Sequence, residues 1–387
     1  MKLKQKPEDF QVEELNELKP SKEGEYKLYL LEKKSLETFS LLNYLSRKNR
    51  IPIQEFGIAG LKDRHAITKQ YLTIPKIYEI STLKENNFNL TFLGYVPEKL
   101  KLGDLKGNKF EITVRDVKKG ELEGVYKKAE TIEQTGVPNY FDSQRFGSAI
   151  NKEFIAKHLI RKEYEQAVKI YLAQSTRFES SKIKKEKTQI LQNWKNLEKT
   201  EIKSPTLKPV VEEYKKTKNW LEAYKRIPSK LREIMISAYQ SYLWNECVKR
   251  ALIAKIDKKK IYTIDYSLGK LIFYKNLTEK EARNIPETFK TINKNTNSKG
   301  FEQDIINNVL NKEGITIKEF DIKKQTGNFF TTYERKTLLK PANFTISQPK
   351  TDEINDRGRK NKYKITLSFT LPKGSYATMI TKRVFNQ

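Results

Sequence analysis

"KITLSFTL", residues 364–371, alternates apolar and polar side chains: Ile365, Leu367, Phe369 and Leu371 share one face, Thr366, Ser368 and Thr370 the other. A strand with one buried face gives this pattern, because successive side chains point to opposite sides of a sheet. "FEITV", residues 110–114, repeats it, and "YKLYLL", residues 26–31, is a short apolar run of strand type. Strands near both ends of the chain predict one sheet assembled from the two termini. Between residues 31 and 110, a helix is expected to carry Phe39, Leu42 and Leu45, capped by Ser35 or Thr38 and ending before Ile51-Pro52.

The middle of the chain differs in character. From residue 151 to about 250 the pattern is helical and basic, and residues 179–232 hold fifteen Lys/Arg against seven Glu, with Trp194, Trp220 and two tyrosines interspersed. Ser229 follows Pro228 and can cap a helix whose stripe of Leu231, Ile234, Met235, Ala238 and Tyr242 is read as core. Residues 293–300 and 352–361 read as polar, mobile loops. The layout predicted is α+β: a basic, mainly helical domain (151–336) inserted into a sheet-containing domain (1–150 and 337–387). No internal repeat is evident.

A formal charge of +28 over 387 residues points to a polyanionic partner, nucleic acid ahead of an anionic membrane surface. A Lys-rich solubility surface is the plainer alternative. The chain has one cysteine, Cys247, and two histidines, His65 and His158, so an intramolecular disulfide is excluded and a catalytic zinc site is not expected. "MKLKQKPEDF" lacks the apolar core of a signal peptide, and no window approaches the roughly 18 apolar residues of a membrane span. A soluble, cytoplasmic protein is expected, with no membrane association.

"FGIAGLKDRHAITKQ", residues 56–70, places one acid, Asp63, between Lys62 and Arg64 at a turn before a β-prone run. Opposite charges nearby favour the ionised form of a carboxylate, which can then act as a base or a nucleophile. Gly57 and Gly60 would let the backbone approach a bulky ligand, and they also fit a GXXG nucleic-acid clamp. A solvated turn of alternating charge reads the same way locally. In "VPNYFDSQRFG", residues 137–147, Tyr140, Phe141 and Phe146 supply flat faces beside Asn139 and Arg145. That set suits a base stacked on a ring and hydrogen-bonded on its edge, or an aromatic turn packed into a core. "LKQKPEDFQVEE" (3–14) and "LPKGSYATMITKR" (371–383) each place a lysine, Lys4 or Lys373, and an aromatic, Phe10 or Tyr376, near a hinge residue.

Taken together and in order, "KPEDFQVEE", "GLKDRHAITKQ", "LGDLKGNKFEITVRD" (102–116), "VPNYFDSQRFG" and "LPKGSYAT" resemble the motifs of the TruD family of tRNA pseudouridine synthases. The resemblance covers parts of residues 3–148 and the C-terminal strand region to Arg383. The basic middle is similar, more loosely, to the inserted TRUD domain of that family. The fold implied is a pseudouridine-synthase-like mixed and antiparallel sheet flanked by helices, with a mainly helical α/β insert. The activity implied is isomerisation of uridine to pseudouridine, at position 13 of tRNA, with no metal or organic cofactor and no obligatory protein partner; a monomer is expected. Asp63 matches the family's essential aspartate, as base or as covalent nucleophile. Phe10, Asn139 and Tyr376 match substrate-contact positions, with Phe141 as a stacking neighbour. Lys4, Lys62 and Arg64 are expected, from their own charge beside these segments, to be cations that hold RNA. Some family members carry Phe where Tyr376 stands. The alternatives are a non-catalytic RNA-binding protein on the same fold and a membrane-surface protein with a basic amphipathic face.

Overall fold

The computed structural model describes residues 1–81, 83–176, 179–358 and 361–386. The chain forms two compact units, Met1–Val137 with Leu339–Gln387, and Pro138–Leu338. Against the expected division, the chain leaves the first unit at Val137–Pro138 rather than at 150, and returns at Leu338–Leu339.

The first unit is built on a ten-stranded sheet. Its strands are β1 (Phe10–Leu15), β2 (Tyr26–Lys34), β3 (Gly57–Ile58), β4 (Ile67–Pro75), β5 (Lys84–Glu85), β6 (Phe88–Val96), β7 (Gly107–Lys118), Ala342–Ile346, Lys350–Thr351 and Lys362–Pro372. The order in space is Ala342–Ile346, Lys362–Pro372, β7, β1, β4, β2, β6, β5, with Lys350–Thr351 on Lys362–Pro372 and β3 on β4. β1 and β4 run parallel and the other pairs antiparallel, so the sheet is mixed. Strands from both ends of the chain flank β7, as the alternating patterns require. Ile365, Leu367, Phe369 and Leu371 are all buried, and Phe369 stacks on its register partner Phe110 with centroids 5.6 Å apart. Each such side chain contributes roughly 1.5–3 kcal/mol of burial free energy.

Helix Thr38–Asn49 buries Leu41, Leu42 and Leu45 against Tyr29, Leu31, Leu72 and Ile74. Its cap is Glu37, whose carboxylate accepts from the amides of Phe39 at 3.0 Å and Ser40 at 2.6 Å. Neither Ser35 nor Thr38 caps it, and Phe39 faces solvent. A carboxylate reaches two first-turn amides at once, which leaves the Thr38 hydroxyl for another partner. Residues 352–361 are not the free loop expected at their start. Asp352 is buried and accepts from Arg115 (3.1 Å), the Asp116 amide (2.8 Å), the Ile354 amide (3.1 Å) and Asn355 (2.6 Å). Arg359 and Lys360 of that stretch lie outside the described residues.

Among the described residues the second unit is mainly helical, and its short strand pairs include Ile261–Tyr266 with Gly269–Tyr274 and Thr288–Lys290 with Glu334–Lys336. Its longest helix, Ser229–Lys255, carries the core from Met235 onward through Ile236, Ala238, Tyr239, Leu243 and Trp244. Leu231 and Ile234, expected in the buried stripe, are exposed, because the core-facing surface of this helix begins a turn later.

Candidate active site

Asp63 lies on the loop of residues 59–66 that joins β3 to β4. Pairing of Gly57 with Thr73 and of Ile58 with Leu72 closes the base of this loop, and Ala59 and Ala66 at its ends are buried. A Cβ on Gly57 would lie 2.3 Å from the Thr73 hydroxyl and 2.7 Å from the Leu100 carbonyl. Glycine is therefore needed there by the protein's own chain, not by an approaching ligand.

Four groups, Lys33, Thr38, Gln70 and Glu14, grip the loop from behind. The Lys33 ammonium donates to the carbonyls of Leu36 at 2.7 Å, Asp63 at 3.0 Å and Lys62 at 3.5 Å. Lys33 is buried, and this burial pushes its ammonium down to about 8, against the attraction of Asp63 and Glu37. The Thr38 hydroxyl accepts from the Lys62 amide at 3.3 Å, and the Gln70 amide donates to the Gly60 carbonyl at 3.2 Å. The Lys62 ammonium donates to Glu14 at 2.6 Å, with the two side chains 5% and 0% exposed. Lys62 is thus not the RNA-facing cation expected of it. Its charge is turned inward, because the buried Glu14 carboxylate needs a counter-ion.

In front of the loop stands a different lysine. The Lys4 ammonium lies 3.2 Å from the Asp63 carboxylate, both side chains about one-third exposed, and 3.8 Å from the centre of the Phe10 ring. Lys4 reaches this position from a left-handed backbone turn, φ 54°. Phe10 is buried with its ring at an angle to that of Phe110, 6.2 Å away. Its neighbour Asp9 is clamped by Arg115 Nε, 2.9 Å from each carboxylate oxygen. A carboxylate open to solvent on one side, a cation and an aromatic ring therefore converge at one point.

Arg64 and His65 are exposed. Tyr376, half-buried, immediately precedes the C-terminal helix Ala377–Phe385. A hydrogen-bond relay ties its loop to that of Asp63: Lys373 donates to the Gly103 carbonyl at 2.9 Å, and the Gly103 amide donates to the Ala59 carbonyl at 2.8 Å.

Asn139 and Phe141 belong to the second unit, and both are buried. Arg335 donates to the Asn139 carbonyl and to its side-chain oxygen, each at 2.8 Å, while the Asn139 amide donates to the Lys336 carbonyl at 3.0 Å. The Phe141 ring meets Trp244 edge-on at 5.5 Å and carries the Arg335 guanidinium 4.1 Å from its centre. Asn245 holds the Phe141 backbone at both its amide and its carbonyl.

Glu14, Lys33, Thr38 and Gln70 were missing from the sequence-derived site. Two of them carry a signal in the strand period: Lys33 falls on the inward face with Tyr29 and Leu31, and Glu14 on that of Phe10 and Val12. A charge at an inward position of an alternating strand calls for a buried partner. Among the described residues, no group of three or more His, Cys, Asp or Glu is placed to hold a metal ion, and no helix is long and apolar enough to cross a membrane.

Residues 1–384 match the family described as tRNA pseudouridine synthase D (TruD). A Methanocaldococcus jannaschii protein bearing the name tRNA pseudouridine synthase D 2 is 42% identical over 100% of this chain and 92% of its own length. An Aquifex aeolicus tRNA pseudouridine synthase D is 31% identical over 100% of this chain and 98% of its own. A crystal structure from Methanosarcina mazei, solved under the name tRNA pseudouridine synthase D (TruD), superposes with a TM-score of 0.74 at 25% identity, covering 100% of this chain and 93% of that one. On these matches over its whole length, the chain belongs to the tRNA pseudouridine synthase D family, a family of isomerases.

Proposed function

We propose that this protein isomerises uridine to pseudouridine in tRNA, at position 13, with Asp63 as the catalytic group. The observation that carries this reading is the placement of Asp63: a partly exposed carboxylate on a loop pinned from behind, facing a lysine and an aromatic ring. The reaction breaks the bond between ribose C1′ and uracil N1, turns the base and joins C1′ to C5. The C5 proton leaves and N1 gains one, so the product is an isomer of the substrate. Asp63 serves this sequence either by attacking the nucleoside or by taking a ribose proton, and a group held in fixed geometry is what either role needs. The target uridine must leave its stack to reach the carboxylate.

Lys4 and Arg64 supply positive charge at the mouth of the site, and the net charge of +28 supports binding of a polyanion. Phe10 and Tyr376 are assigned to contact the substrate. Asn139 and Phe141 are assigned the same role by family resemblance, each held rigid by Arg335. The protein is proposed to act as a cytoplasmic monomer without a cofactor. The test is incubation with unmodified tRNA transcripts carrying U or C at position 13, followed by mapping of pseudouridine. Pseudouridine at position 13 of the U transcript alone is expected. Tight binding with no pseudouridine in either transcript would leave a non-catalytic RNA-binding protein instead.

A further inference from the structure

We infer that Lys33 is a positioning residue for Asp63, fixing the carboxylate through the backbone of its loop. The inference rests on Asp63 being the catalytic group. Lys33 is paired on both sides within the sheet, to Thr68 of β4 and to Phe88 of β6, so its Cα is among the better-fixed points of the unit. From there its side chain reaches the inward carbonyls of Lys62 and Asp63, and that of Leu36 before helix Thr38–Asn49. One ammonium thus joins the rigid sheet to the peptide unit that carries the Asp63 side chain. A second restraint is independent: the Lys62 side chain is buried on Glu14 of β1, and Thr38 holds the Lys62 amide.

Filling the core does not account for a lysine here. An apolar side chain would fill the volume without the cost of burying a charge, a cost visible in the depressed ammonium. What an apolar residue cannot supply is three donors to carbonyls that face inward. The charged groups around Lys33 are Asp63 and Glu37, which favour its charged form, and Lys62, which opposes it. Lys33 has no place at the solvent side of the loop, so it acts on the reaction through Asp63 and not by touching RNA.

The test is steady-state kinetics on unmodified tRNA with Lys33→Met, which keeps the length and loses the donors, measured well below each protein's melting transition. A displaced carboxylate should lower kcat roughly ten- to hundredfold with KM within about twofold, since misplacement of about 1 Å can cost on the order of a hundredfold. A Lys33→Met enzyme with kcat within twofold of the parent, or one whose KM changes instead, overturns the inference. If Lys33→Met does not fold, Lys33→Gln, whose shorter side chain cannot donate to all three carbonyls, should show a smaller loss of kcat at unchanged KM in the same assay, and an unchanged kcat there also overturns it. Asp63→Asn run alongside separates the two levels. If it is inactive while Lys33→Met is fully active, only the positioning role falls; if it stays active, both readings fall.

Discussion

Lys62→Ala separates two accounts of the same basic residue. If Lys62 faced RNA, its removal would weaken tRNA binding and leave stability within about 0.5 kcal/mol of the parent, as for most surface substitutions. In the structure its ammonium is 2.6 Å from Glu14 Oε2, and the Glu14 side chain is 0% exposed. Truncation leaves a buried carboxylate with no counter-ion, a change that costs about 3–5 kcal/mol. In a domain of 150–250 residues each kcal/mol lowers the melting temperature by about 2–4 °C, so a fall of roughly 6–20 °C is expected. Calorimetry on the full chain measures it. A Glu14→Gln, Lys62→Met double variant should recover much of the loss, because no charge is then left buried. An unchanged melting temperature in Lys62→Ala, together with weakened tRNA affinity, would refute the inward assignment.

Phe141→Ala should cost about 3–5 kcal/mol in thermal unfolding, since the ring is buried between Trp244 and Arg335; an unchanged melting temperature would show the ring to be free for substrate alone. Lys33 gives a pH signature. Burial holds its ammonium at about 8, below the ordinary value of about 10.4, so between those values the unfolded chain binds more protons and stability rises with pH. Relative to Lys33→Met, the parent should therefore gain stability from pH 8 to about 10.4 and show no such trend below 8; a relative loss across that window contradicts the assignment. The affinity for tRNA should fall with salt, each neutralised phosphate adding about 0.7–0.9 to the log–log slope, and a slope near zero would remove the electrostatic contribution.

The sheet was legible because period-two alternation is local: residues 364–371 and 110–114 carry their burial in the sequence itself, and the two strands pair in register through Phe369 and Phe110. Asp63 was legible as a lone acid among cations at a turn. The cation that meets it was not, because Lys62 is adjacent in sequence yet turns inward, while Lys4 arrives from a distant segment through a left-handed turn. Pairing of charges across dozens of residues has no local periodicity to reveal it. The cap of helix Thr38–Asn49 was misplaced for a similar reason: Glu37 outcompetes the usual hydroxyls, and Thr38 is drawn to the Asp63 loop. The aromatic run at residues 137–147 read equally as a stacking platform or as core, and Tyr140, Phe141 and Phe146 are all buried.

The most direct measurement is single-turnover pseudouridine formation on unmodified tRNA by Asp63→Asn, with tRNA affinity measured on the same preparation. The substitution keeps the size of the side chain and removes both its basicity and its nucleophilicity. Isomerisation at background with tRNA affinity equal to or above that of the parent is predicted, because loss of a negative charge beside phosphate does not weaken attraction. Substantial pseudouridine formation by Asp63→Asn would contradict the assignment of the reaction to this carboxylate.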